Sequence, residues 1–225
     1  MIYDDFEKHL SKARMDKYKR ACGGNEQKAI DLYMQNIEIS KTFYAALSFL
    51  EIALRNAINN HYQRHFEDND WITTQASEQF FSEHKKADIR KAKDRISNIK
   101  PYSSDNLVAE LGFGFWISMF SSHCFNQGNQ TLLKILPNKE KGINHKLIYK
   151  ELDEVRIFRN RIAHYEPICF NESGKISVKY MEKNRDLIIK HALFLGLPTI
   201  FLQNIMSPIS DIEKLREFFS LTAQV

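Results

Sequence analysis

The sequence predicts an all-α helical bundle with one short β-hairpin near residues 168–180. Three observations lead there. Only 8 Gly and 5 Pro occur in 225 residues, so the chain has few breakers and favours long helices. Apolar residues recur every three or four positions over long stretches, which puts them on one face of a 3.6-residue helix. Strict alternation, the mark of a half-buried strand, is confined to Ile168 and Phe170 and to Ile176 and Val178, on either side of the turn Asn171-Glu172-Ser173-Gly174.

Taken in order, residues 3–20 space Tyr3, Phe6, Leu10, Ala13 and Tyr18 along one helical face, and Gly23-Gly24-Asn25 ends that pattern. A long helix follows from about Glu26 to His65, with Ile39, Phe43, Leu47, Leu50, Leu54 and Ile58 as its buried stripe and Glu51, Arg55 and Asn59 on the opposite side. Glu67 to Asp70 is a loop, and residues 77–99 form a charged helical region broken by Pro101. Residues 107–125 are apolar and aromatic, with Gly112 and Gly114 loosening their start, and Pro137 and Gly142 mark a turn. Asn144 to His164 is a helix with Leu147, Leu152, Val155, Ile157, Phe158 and Ile162 inward, stopped by Pro167. Met181 to Leu195 is another, and the last helix begins after Pro208 with the capping box Ser210-x-x-Glu213. No linker or repeat divides the chain. The expectation is a single domain over 1–225, with residues 1–25 a helical appendage and 207–225 a C-terminal helix.

Composition bounds the function. With 43% apolar and 27% charged residues the chain is in the globular range. A net charge of +4 permits an anionic partner without demanding one. Cys22, Cys124 and Cys169 are scattered and form no CxxC, so neither a disulfide framework nor a zinc ribbon is indicated, and a reducing cytoplasm fits best. The N-terminus lacks the layout of a signal peptide. The most apolar late stretch, Leu187 to Ile205, is interrupted by Lys190, His191, Pro198, Gln203 and Asn204 and is too polar to span a bilayer. There is no HExxH, no Cys cluster and no glycine-rich phosphate loop, so no metal or cofactor is expected.

Chemistry concentrates at one helix end, where Asp153-Glu154-Val155-Arg156-Ile157-Phe158-Arg159-Asn160-Arg161-Ile162-Ala163-His164-Tyr165-Glu166-Pro167 stand together. Asn160 and His164 are four apart and share a face. Arg159 is on the flank, and fraying towards Pro167 would let Arg159 and His164 converge. An arginine offers a fixed cationic fork to a phosphodiester. A histidine moves protons near neutral pH. Asn160 can hold the imidazole or the phosphate by neutral hydrogen bonds. The competing reading is a solvated helix end in which Arg156, Arg159 and Arg161 pair with Glu151, Asp153 and Glu154 while His164 only caps.

Arg159-Asn160-x-x-x-His164 resembles the R-x4-6-H motif of the HEPN superfamily. Phe49 to Ile58, Leu111-Gly112-Phe113-Gly114-Phe115-Trp116 and Arg156 to Ile168 together resemble the abortive-infection (Abi-like) branch of phage-defence proteins, over about residues 30–195. The resemblance implies a HEPN-like bundle that forms a homodimer, brings two motifs together across the interface and cleaves RNA without a metal. Some members are restrained by an RNA or protein antitoxin. The His-x-Tyr form that serves regulation in some HEPN toxins is absent, since Tyr165 follows His164 directly and position 166 is Glu.

Spacing alone selects little. Arg55 to His61 and Arg185 to His191 also satisfy it, and about one chance match is expected in a chain with eight His. Arg185 to His191 spans an apolar run and reads as core helix. Arg55 to His61 reads as a supporting or RNA-contacting face. The predicted catalytic residues are therefore Arg159, Asn160 and His164, with Glu51, Arg55 and Asn56 as supporting or RNA-binding residues and Glu51 a candidate to orient Arg159 or His164. The basic run Lys85, Lys86, Arg90, Lys91, Lys93 and Arg95 either steers RNA or forms a solvated face with Glu83, Asp88 and Asp94. The alternative function is a non-catalytic HEPN module that binds RNA or a protein partner, or a structural subunit of a defence complex.

Overall fold

The computed structural model describes residues 2–198 and 211–217. It is helical throughout. The helices are α1 (Ile2–Leu10), α2 (Lys12–Ala21), α3 (Glu26–Phe66), α4 (Trp71–Ala76), α5 (Glu83–Ser97), α6 (Ser104–Glu110), α7 (Phe113–Ile117), α8 (Ser122–Gln127), α9 (His145–Ala163) and α10 (Lys179–Phe194), with 3-10 turns at Ser118–Phe120 and Leu132–Ile135. Residues 211–217 are also helical, whereas Ser210 of the expected capping box is outside the described residues. The hairpin is reduced to one antiparallel bridge, Phe170 to Ile176, and no strand forms among the described residues.

The described residues group into two compact units. The first takes the chain up to Leu47, Phe158–Ile188 and the described part of the chain from Pro198 onwards; the second takes Ser48–Ile157 and Ile189–Leu197.

In the first unit, Ser11 splits the expected N-terminal helix. Its backbone enters the left-handed region (φ 78°) and its side chain accepts from the Arg14 N–H. Tyr3, Met15 and Tyr18 are buried. Tyr18 meets Tyr33 and Phe170 edge-on at 5.3 and 5.1 Å, and Phe43 meets Phe158 at 4.9 Å. The two short N-terminal helices are thus part of this core. Asn36 is buried there and accepts a hydrogen bond from the Ile168 N–H at 2.9 Å, which satisfies both groups.

The second unit is built on aromatic rings. Tyr62 and Trp71 are 4.8 Å apart, with Phe80 and Phe81 against Trp71 at 5.7 and 5.9 Å. Each such side chain contributes about 2–3 kcal/mol on burial. Ser103 and Ser121 cap α6 and α8, and Gly112 stands at the N-cap of α7, so the apolar stretch 107–125 folds as several short helices. Its aromatic residues Phe113, Phe115, Trp116, Phe120 and Phe125 are all buried, as core.

Helix phases differ from expectation at two places. The α3 stripe from Ile39 to Ile58 is buried as predicted, but Asn59 is buried as well and accepts the Trp71 indole N–H at 2.9 Å. A paired amide is as much at home in a core as an apolar side chain. On α9 the buried stripe is Ile148, Leu152, Val155, Phe158 and Ile162, whereas Leu147 and Ile157 are exposed. Ile148 occupies the phase expected of Leu147.

Candidate active site

The predicted catalytic residues are in the first unit, at the C-terminal end of α9. Arg159 and Asn160 are half-buried and His164 is exposed. The helix does not fray as expected. The His164 N–H still donates to the Asn160 carbonyl at 2.9 Å, which makes His164 the capping residue. The next two N–H groups fold back, Tyr165 to the Ile162 carbonyl at 3.0 Å and Glu166 to the Arg161 carbonyl at 2.8 Å. These paired bonds are the Schellman closure, which requires a left-handed residue just past the cap. Tyr165 fills that position with φ 57°.

A non-glycine residue there costs about 1–2 kcal/mol, and three hydrogen bonds offset it. Arg14 of α2 donates from Nη1 to the Tyr165 carbonyl at 2.6 Å, Arg161 donates from Nη2 to the Pro167 carbonyl at 2.6 Å, and Asn36 holds the Ile168 N–H. Two of the three have charged donors, of which the part-buried Arg161 bond is worth about 1.5–3 kcal/mol and the exposed Arg14 bond less. It leaves Tyr165 80% exposed beside His164.

At 3.6 residues per turn, Asn160 and His164 are about 40° apart around the helix, and Arg159 and His164 about 140° apart. The closed helix therefore puts Asn160 and His164 on one face and Arg159 towards another. Neighbouring cations are spoken for: Arg156 pairs with Asp153 at 2.7 Å, and Arg161 reaches Glu166 at 3.4 Å and stands over the Tyr180 ring at 5.1 Å. The helix end thus carries part of the expected ion pairing, but Glu151 pairs with Lys190 and His191 instead of with an arginine of the motif.

A cleft of about 800 Å³ in the first unit borders this end of α9. Ala163, Tyr165 and Glu166 form one wall, and Arg14, Tyr33, Asn36, Lys41 and Tyr44 line the rest of it. Sequence reasoning missed Arg14, Lys41, Tyr33 and Tyr44. They come from helices far away in sequence, and no spacing signal joins them to the motif.

The supporting residues Glu51, Arg55 and Asn56 are on the part of α3 that belongs to the second unit, with Glu51 and Arg55 half-buried and Asn56 exposed. In that unit Glu151 contacts the buried His191 at 3.1 Å, and this contact with that of Lys190 holds its carboxyl below the usual range despite burial. His191 is 1% exposed, as expected of a core helix. In the basic run, Lys85 pairs with Asp88 at 3.0 Å, Lys86 with Glu83 at 3.2 Å and Arg95 with Glu110 at 2.6 Å, in the manner of a solvated face.

All three cysteines are free. Burial pushes the Cys169 thiol up to about 12 and raises Cys124, which keeps both protonated and poor nucleophiles. Among the described residues, no group of three or more His, Cys, Asp and Glu is placed to hold a metal ion. No helix among them is long and apolar enough to cross a membrane.

The family model for Abi-like proteins matches residues 2–169, three quarters of the chain and the whole of the motif. The chain belongs to the Abi-like protein family. The matched region runs from α1 through α9 and its exit loop, so the N-terminal helices are part of the family's unit and not an addition to it. No curated protein and no solved structure matches the chain.

Proposed function

We propose that this Abi-like chain is a HEPN-type endoribonuclease of a phage-defence or toxin–antitoxin system, acting in the cytoplasm without a metal. The observation that supports the reading is the exposed His164 at a closed helix end. It is next in sequence to Ala163 and Tyr165 of a cleft that Arg14, Lys41, Tyr33, Tyr44 and Glu166 also line, although Arg159, Asn160 and His164 do not themselves line it. Arg14 and Lys41 suit phosphates, and Tyr33, Tyr44 and Tyr165 offer ring faces to unpaired bases.

The chemistry follows from RNA itself. The ribose 2′-oxygen loses its proton to a base and attacks the adjacent phosphorus in line. The 5′-oxygen of the next nucleotide leaves and takes up a proton. His164 moves the proton, and Arg159 stabilises the charge on the phosphoryl oxygens, with Asn160 orienting imidazole or phosphate. The products are a 2′,3′-cyclic phosphate and a 5′-hydroxyl end, and DNA is not cut. Because Arg159 and His164 diverge around a closed helix, the reading includes a homodimer, in which a second copy completes the set around one phosphate. An RNA or protein antitoxin is the partner that this class of activity calls for.

The test is cleavage of RNA by the purified protein in EDTA, alongside His164→Ala. Cleavage by the wild type alone supports the enzyme. Binding without cleavage by either favours the non-catalytic RNA-binding module, a reading to which the divergence of Arg159 and His164 in one chain lends weight. Cleavage only on addition of a divalent metal overturns the mechanism. Glu51, Arg55 and Asn56 remain candidate supporting residues. Glu51→Gln at wild-type activity removes Glu51 from the site, and a loss matching Arg159→Ala keeps it.

A further inference from the structure

We propose that the second unit carries an anion site for a phosphoryl group, built by His61, Arg64 and His65 of α3 with Lys134 and Thr131. The proposal is independent of the ribonuclease reading. These residues line a pocket of about 480 Å³ together with Asn60, and no carboxylate lines it among the described residues. Two cationic side chains and two imidazoles thus share one concavity with no built-in counter-charge. A concavity lined by one sign of charge raises the local concentration of anions.

The pocket is a constructed feature. Gly128 is packed so closely on α3 that a Cβ there would come within 2.5 Å of the Tyr62 hydroxyl, which only glycine avoids. Asn129 and Gln130 then both take the left-handed conformation, with φ 53° and 59°. Two successive non-glycine residues in that region cost about 1–2 kcal/mol each and persist only where surrounding structure holds them. Their effect is to set Thr131 against His61. The Thr131 hydroxyl donates to the Gly128 carbonyl at 2.8 Å and accepts from His61 Nε2 at 2.9 Å. Asn129 Nδ2 donates to His65 Nε2 at 3.4 Å, and the two imidazoles stack nearly parallel with centroids 6.0 Å apart.

Electrostatics agree with this geometry. Burial and then the charges of His65, Arg64 and Lys134 hold His61 down to about 4. The groups that face it are therefore all cationic or neutral. A bound phosphoryl group reverses the sign of that field. It favours protonation of His61, which turns Nδ1 into a second donor. Expected ligands are the backbone phosphate of an RNA strand or the phosphate of a free nucleotide, which present the same oxygens.

The experiment follows the His61 and His65 imidazole resonances by NMR. Inorganic phosphate, a nucleoside 5′-monophosphate and a 2′-O-methyl oligoribonucleotide are added in turn, the last being inert to 2′-hydroxyl cleavage whether or not the protein is a nuclease. Both imidazole resonances are expected to shift saturably, and His61 to titrate at higher pH when the anion is bound. Lys134→Ala and Arg64→Gln, both at exposed positions, are expected to weaken binding about three- to tenfold, while Lys150→Ala, exposed and outside the pocket, leaves it unchanged. Tighter binding of the oligonucleotide, with the salt slope falling by about one per cation removed, assigns the site to a strand phosphate. Equal or tighter binding of the mononucleotide assigns it to a free nucleotide. Non-saturable shifts with all three ligands, or identical affinities for wild type and Lys134→Ala, overturn the proposal.

Discussion

The Arg-to-His spacing recurs in both compact units, and its histidines meet different fates. In the first unit His164 is exposed at a helix cap. In the second, His61 is half-buried under Thr131 and ringed by cations, and His191 is sealed in the core against Glu151. One spacing therefore yields a proton-transfer candidate, a candidate anion ligand and a buried structural contact. Helical spacing says which residues share a face. What a histidine can do there depends on solvent, counter-charge and the backbone just beyond it.

The sharpest way to break this contrast is to exchange the histidines' consequences. His164→Ala is expected to lower RNA cleavage in EDTA by about 10²–10⁴, with the circular-dichroism spectrum and melting temperature unchanged. His61→Ala is expected to keep cleavage within about tenfold. If His61→Ala abolishes cleavage and His164→Ala does not, the assignment is reversed.

Next in size is the buried pair. Glu151→Ala leaves His191 and Lys190 without their carboxylate, and the loss is expected to be on the order of 3 kcal/mol in urea unfolding. The folded-state carboxyl is held below its ordinary value. Its contribution is thus present above the unfolded carboxylate range and lost as pH falls through the depressed value. Glu151→Gln should flatten stability below about pH 4.5 relative to wild type, and an unaltered acid limb would remove Glu151 from the pair.

His61 acts in a different pH window. Its pKa falls from 6.5 to about 4 on folding, so between those values the unfolded chain binds more protons. Stability should fall as pH drops from about 6.5 to 4. His61→Gln, which cannot be protonated, should shallow that slope, as read by chemical denaturation across the range. A slope equal to wild type means that His61 is solvated like any surface histidine.

The smallest change is at the reversal. Tyr165→Gly relieves a left-handed tyrosine that is 80% exposed and is expected to raise stability by about 0.5–1 kcal/mol. Destabilisation would show that the ring packs on something in solution.

Much of this fold was legible in the sequence where apolar side chains alone mark the face. The α3 stripe is one case, since Ile39, Phe43, Leu47, Leu50, Leu54 and Ile58 admit a single phase. On α9 the phase was misread at two positions because Leu147 and Ile157 are as apolar as the buried Ile148. Asn59 looked like a surface residue because its partner, the Trp71 indole, is set by a loop that periodicity does not encode. The apolar stretch 107–125 had no clear phase, because Gly112 and Ser121 start new helices inside it. The candidate site was legible as a motif and a proline stop, but its cleft was not. Arg14, Lys41 and Tyr44 reach the cleft beside the motif through tertiary packing, and at the pocket of His61 and Lys134 Gly128 marks a turn but not the two left-handed residues, Asn129 and Gln130, that follow it.

The hydrogen bond from Arg14 to the Tyr165 carbonyl has a practical meaning for anyone who handles this protein. The loop leaving the motif is fastened by a side chain about 150 positions upstream. Shortening the N-terminus, or burdening α1 and α2 with a bulky fusion, is therefore not a neutral cloning decision. A preparation trimmed to begin at α3 lacks the Arg14 hydrogen bond to the Tyr165 carbonyl, next to His164.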